Sequence, residues 1–223
     1  MLVTFARPEE SRAFRRRLVE RENLRGLTGN RVVTGKIGTK SVVVAHTGIG
    51  LPAATQSIRE LLKSPWNLVI AAGFAGALSP NLREGDIISQ DTPDPNPLAL
   101  ISRPVPIERA EDKKALYHRT GASAVDMETA SIAAACHEAG VPITAIRAIS
   151  DPAHVDLPVP FAIWFDLARQ RPRPFTLLAF LARHPTRIRP FLQFVRRLPR
   201  ISASLASALE TRIRSLASPP SES

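Results

Sequence analysis

Three carboxylates stand where strands are expected to end. Asp126 and Glu128 lie in Ala124-Val-Asp-Met-Glu-Thr129, where a strand gives way to an Ala-rich helix. Asp151 follows the apolar run Ile143–Ile149, which has Arg147 inside it. Carboxyl groups at two neighbouring strand ends converge on one cleft, a placement suited to general acid work and to binding sugar hydroxyls. A purely structural reading stands level with it. In that reading Glu128 favours a helix N-terminus through the macrodipole, and Asp151 caps a turn before Pro152.

Three glycine turns follow expected strands: His46-Thr47-Gly48-Ile49-Gly50, Gly73-Phe74-Ala75-Gly76, and the turn into Gly85-Asp86. In open α/β sheets ligands gather at the carboxyl ends of strands, and glycine lets backbone come close to them. Taken singly, each such turn is more often only a tight connection. His46, His118, His137, His154 and Cys136 show no ligand spacing, so no metal is expected, and Cys136 and His137 read as filler of the Ala-rich helix.

The elements that must position these groups alternate along the chain. Strands are expected at Met1–Phe5, Asn67–Ala72, Asp86–Ser89 and Ile143–Ile149, with a hairpin of Arg31–Thr34 and Ser41–His46. Helices are expected at Pro8–Glu22, Leu51–Lys63, Glu108–Thr120 as a charged surface helix, and Met127–Ala139, stopped by Gly140. Such alternation predicts an α/β layered domain on a mostly parallel sheet.

The chain has 223 residues and one cysteine, which permits a sizeable core and excludes a disulfide framework or a Cys-built zinc site. A single Cys suits a reducing, cytoplasmic compartment, and neither a spanning run nor a signal-peptide layout is present. The net charge of +10 is unevenly placed. Residues 169–223 hold 11 Arg, no Lys and two Glu, so the body is nearly neutral. Seven prolines fall between Pro158 and Pro199. These features divide the chain into a catalytic domain, 1–168, and a basic amphipathic helical tail, 169–223. Helical patches at Phe175–Arg183 and Pro190–Leu198 set Leu and Phe against Arg, which suits peripheral contact with an anionic membrane or packing on the body. The tail is too apolar for a phosphate-tracking arm, and no nucleic-acid partner is expected.

Five pieces in order resemble the nucleoside phosphorylase and nucleosidase superfamily, which includes methylthioadenosine/S-adenosylhomocysteine nucleosidases. They are Phe5-Ala-Arg-Pro-Glu-Glu10; Thr47-Gly-Ile-Gly50; Val69 to Leu78 with Gly85-Asp-Ile-Ile88; Val125-Asp-Met-Glu-Thr-Ala130; and Val141 to Asp151. Pro152-Ala153-His154 and the Arg-rich tail are similar to its hopanoid-associated branch, which acts on adenosylhopane. The resemblance implies a three-layer α/β fold and a homodimer that releases adenine from a 5′-substituted adenosine. Asp151 would protonate N7 of the purine, Glu128 would bind the ribose hydroxyls with Met127 against the sugar, and Glu10, with Glu9 adjacent, would orient water. Ile49, Ala75 and Gly76 would line the pocket, and Arg147 would position the acidic groups from behind. It implies no cofactor, phosphate being the one candidate co-substrate. A phosphate-dependent phosphorylase and a non-catalytic nucleoside-binding homologue are the alternatives.

Two departures bear on that. Phe74 stands where relatives place a small or hydroxylated residue, and Ala71 where phosphate-using relatives place arginine, which favours water as nucleophile. The stretch between Ser89 and Glu108 is shorter than in relatives. It leaves Ile101-Ser102-Arg103-Pro104 as the edge facing the base, with Asp91–Pro97 an irregular loop.

Overall fold

The computed structural model describes residues 1–25, 31–92 and 100–216. The strands of its main sheet are β1 (Leu2–Phe5), β2 (Val19–Arg25), β3 (Arg31–Ile37), β4 (Lys40–His46), β5 (Val69–Ala77), β6 (Ile87–Thr92), β7 (Leu100–Ser102), β8 (Ala124–Asp126) and β9 (Ile143–Asp151). The helices are α1 (Pro8–Arg15), α2 (Leu51–Leu61), α3 (Ala110–Thr120), α4 (Thr129–Glu138), α5 (Phe161–Trp164), α6 (Pro174–Arg183) and α7 (Ile188–Ser215).

Parallel pairing joins β4, β1, β5 and β9 into the centre of the sheet. Antiparallel β3 and β2 extend one side and β6 the other. At its carboxyl end β5 also pairs antiparallel with β8, which carries β7 in parallel.

Strand alternation builds the layers. On β5, Val69 and Ala71 pack with Ala54 and Ile58 of α2 and Ile132 and Ala135 of α4. Their neighbours Ile70 and Ala72 pack on the opposite face with Phe14 of α1 and Ile201, Leu205, Leu209 and Ile213 of α7. The result is a three-layer α/β fold with α2 and α4 on one side of the sheet and α1 and α7 on the other. Cys136 is fully buried in the first of these cores.

The structure revises four expectations. The helix read as Pro8–Glu22 ends at Arg15, because Val19–Arg25 pairs with β3 as a strand. The boundary at 168 does not separate packing units. Ile201, Leu205, Leu209 and Ile213 repeat every four residues, and this stripe of α7 is buried in the main core. Helix α3 is not wholly a surface helix, since Lys113 is completely buried. The region after Ser89 is more ordered than read: β6 runs on to Thr92, and Leu100–Ser102 forms β7. The rest of the expected loop lies outside the described residues.

Candidate active site

At the carboxyl ends of β1, β5, β8 and β9 the chain encloses a cavity of about 440 Å³. Glu10, Glu128 and Asp151 all line it, together with Met127, Ile49, Phe74, Ala75 and Gly76. The sequence drew these eight residues from five separate segments, and the fold brings them to one cavity.

Each carboxylate is placed by its own local device. Glu10 sits in the first turn of α1, which Pro8 opens. Its neighbour Glu9 pairs with Arg7 at 3.0 Å at the exposed rim of the cavity, so Glu10 is the buried group of the pair. One oxygen of Glu10, Oε2, is buried with no hydrogen-bond partner in the structure. Burial first, then the charge of Glu128, pushes its carboxyl up to about 8.

Glu128 follows β8 and precedes α4. It makes no capping bond to α4; instead its Oε1 accepts the Gly50 N–H at 2.8 Å. Gly50 has φ +87°, a conformation open to glycine, and this turns its N–H toward the carboxylate. Burial raises the Glu128 carboxyl to about 7 against the opposing pull of Arg147.

Asp151 is aimed by a break in register. Ala75 pairs with Ile149, but Gly76 pairs with Asp151, leaving Ser150 as an extra residue on β9. A bulge of this kind lets consecutive residues face one side, and both Ser150 and Asp151 reach the cavity. Ser150 Oγ donates to Asp151 Oδ1 at 2.5 Å. Asp151 does not cap the following turn through Pro152. Its Oδ2 takes a bond from Lys113 Nζ at 2.5 Å, a partner that the sequence reading did not supply.

Behind the cavity lies Arg147, 2% exposed. Its guanidinium meets Asp126 at 2.7 Å, Thr129 Oγ1 at 2.9 Å and Glu128 Oε2 at 3.9 Å. It does not line the cavity, in keeping with a role behind the acids. The same guanidinium crosses Gly73 so closely that a Cβ there would meet it at 2.2 Å. Asp126 is therefore fully engaged, since it also accepts from Thr129 and Ser102.

Ser102 requires a correction. Its hydroxyl bridges Asp126 and the Ala130 N–H of α4, and it does not line the cavity. Ala71 is likewise buried against α2 and α4, so its small size says nothing about the nucleophile. The wall instead includes Phe161, Trp164, Phe165, Phe194 and Leu198, which sequence reasoning assigned to the tail or passed over. Phe161 and Trp164 pack edge to face, and Arg7 lies 4.9 Å over Phe165. A cluster of aromatic residues soon after β9 was the available signal.

The sequence profile of the phosphorylase superfamily matches residues 1–92 and 99–172 of this chain. A 5′-methylthioadenosine/S-adenosylhomocysteine nucleosidase of Shewanella oneidensis is 30% identical over 175 residues, covering 58% of this chain and 74% of the relative. Among solved structures, the corresponding nucleosidase of S. pneumoniae with a transition-state inhibitor superposes with a TM-score of 0.70 at 19% identity, over 97% of this chain and 99% of that one. A futalosine hydrolase mutant of Helicobacter pylori superposes with a TM-score of 0.68 at 20% identity, over 96% and 98%.

Proposed function

The chain belongs to the phosphorylase superfamily, and from that membership we propose that it is a purine nucleosidase cleaving the N-glycosidic bond of a 5′-substituted adenosine. The observation that carries the reading is the meeting of Glu10, Glu128 and Asp151 in one cavity, with Arg147 held behind them. Bond breaking leaves positive charge on the sugar and negative charge on the purine. Asp151 delivers a proton to N7, Glu128 binds the ribose hydroxyls, and Glu10 takes the proton that water loses as its oxygen bonds to the sugar carbon. Adenine and the free ribose derivative leave. The unpartnered Glu10 Oε2 supplies an acceptor for that water.

The 5′ substituent in this reading is of the methylthio, homocysteinyl or hopane type, each of which begins with an apolar stem next to the ribose. Support comes from the wall of Phe161, Trp164, Phe165, Phe194 and Leu198. The working unit is a homodimer in the cytoplasm, with peripheral membrane contact through α6 and the first half of α7. Supporting that contact, Phe175 is 86% and Leu178 67% exposed, and Leu192 and Val195 are also exposed.

Incubation with methylthioadenosine, adenosylhomocysteine and adenosylhopane, with and without phosphate, tests the reading. Adenine released without phosphate is the expected result. No release from any substrate overturns it, and strict dependence on phosphate moves the chain to the phosphorylases.

A further inference from the structure

The purine must be protonated as it leaves, and Asp151 as it stands has no evident proton to give. Both of its oxygens accept: Oδ1 from Ser150 at 2.5 Å and Oδ2 from Lys113 at 2.5 Å. A carboxylate in that setting acts as an acid only if a neighbour supplies the proton. Of the two donors, an ammonium is far the stronger acid than an aliphatic hydroxyl.

Lys113 is unusual in its own right. It belongs to α3, whose sequence reads as a charged surface helix, yet it is 0% exposed. Burying an ammonium is costly unless it is paired and fully hydrogen-bonded. Its three N–H donors are all taken, by Asp151 at 2.5 Å, the Val155 carbonyl at 2.8 Å and the Pro152 carbonyl at 3.1 Å. Two of those partners are neutral, so Asp151 is its one charged partner. Lys113 does not line the cavity and has no donor left for a substrate.

We propose that Lys113 is a positioning residue that supplies the proton which Asp151 hands to the leaving purine. This rests on the nucleosidase reading. As the glycosidic bond breaks and its electron pair moves onto the purine, the Lys113 Nζ–H bond breaks and an O–H bond forms on the Asp151 carboxyl. That carboxyl passes a proton to N7. Asp151 ends as the carboxylate it began as, the purine ends neutral, and Lys113 ends as an amine. A proton from water in the cavity then returns to the Lys113 amine through the Asp151 carboxylate, which lines the cavity, before the next turnover.

The test compares two leaving groups. Lys113→Gln keeps N–H donors for the two carbonyls and removes the acidic proton; Lys113→Met is the second variant, and circular dichroism checks that both fold. Each is assayed for adenine release and for cleavage of a 4-nitrophenyl riboside, whose phenolate departs unprotonated. Loss of about 100-fold in kcat on the nucleoside is expected, the usual scale of general acid catalysis. Cleavage of the nitrophenyl riboside stays within about threefold of wild type. The double variant with Asp151→Asn is expected to be no worse than Asp151→Asn alone, because the two residues act as one unit.

Equal losses on both leaving groups, or losses that multiply in the double variant, overturn the relay. So does an unchanged rate on the nucleoside. A wild-type protein that releases no adenine at all overturns the nucleosidase reading itself, and the relay with it.

Discussion

Glu10 combines two properties that oppose each other. Its carboxyl is buried with one oxygen unpartnered, and burial raises it to about 8. In its proposed role as the base, Glu10 must be ionised to accept a proton from water, so kcat/KM should climb with pH and level off above about pH 8, read from a profile on the free enzyme. Stability runs the other way. Native Glu10 holds its proton to higher pH than the unfolded chain does, so between about pH 4.5 and pH 8 the native state binds more protons and stability falls as pH rises. Glu10→Gln removes that penalty. It should lower kcat/KM by at least about 100-fold while raising Tm at pH 9, with little change at pH 5; differential scanning calorimetry at both pH values checks it. Glu10 came from the family resemblance alone, with Glu9 beside it, whereas Glu128 and Asp151 were legible in the sequence because motif and strand-end position agree on them. Lys113 was not, because the charged sequence of α3 gives no sign that one lysine points inward to meet Asp151. Ser102 was misplaced for the reverse reason: a polar residue at a strand edge looks like a ligand contact until Asp126 claims it.

At the scale of elements, α7 changes the reading most. Pro190, Pro199 and the arginines of its first half hide a 28-residue helix from pattern reading. The signal was in its second half, where Ile201, Leu205, Leu209 and Ile213 repeat on one face, and all four are at most 2% exposed. Leu205→Ala should cost about 2–5 kcal/mol. At roughly 3 °C per kcal/mol for a chain of this size, that is a fall in Tm measurable by thermal unfolding. A chain ending at Ala168 should not fold, because α1 and the sheet would lose the face that covers them. The three-residue strand β7 escaped notice because so short a run carries no periodicity, and the equally short β8 was marked only by the change to helix after Asp126, whereas β5 and β9, nine residues each and buried on both faces, were plain.

Over the whole molecule, the charge has a definite location. Between residues 171 and 200 the chain carries eight arginines and no acidic residue, alongside the exposed Phe175, Leu178, Leu192 and Val195. Two copies brought together through this face would repel, whereas an anionic bilayer would take both the arginines and the apolar side chains. No described helix is long and apolar enough to cross a membrane. Removing the tail is the wrong test, since it strips the core. Replacing Phe175, Leu178, Leu192 and Val195 with Ser leaves the core alone and should abolish co-sedimentation with phosphatidylglycerol vesicles. The unaltered chain should bind those vesicles and ignore phosphatidylcholine ones, with binding weakened by salt. Unchanged sedimentation of the Ser variant would discard the membrane reading. The helix carrying half of this face also has Phe194 and Leu198 on the cavity wall, and Leu205 and Leu209 in the core. Its two halves therefore carry separate burdens. Substitutions before Pro199 fall on the cavity wall and the exposed face and should alter binding with little loss of Tm, whereas those after it fall on the core and should lower Tm first.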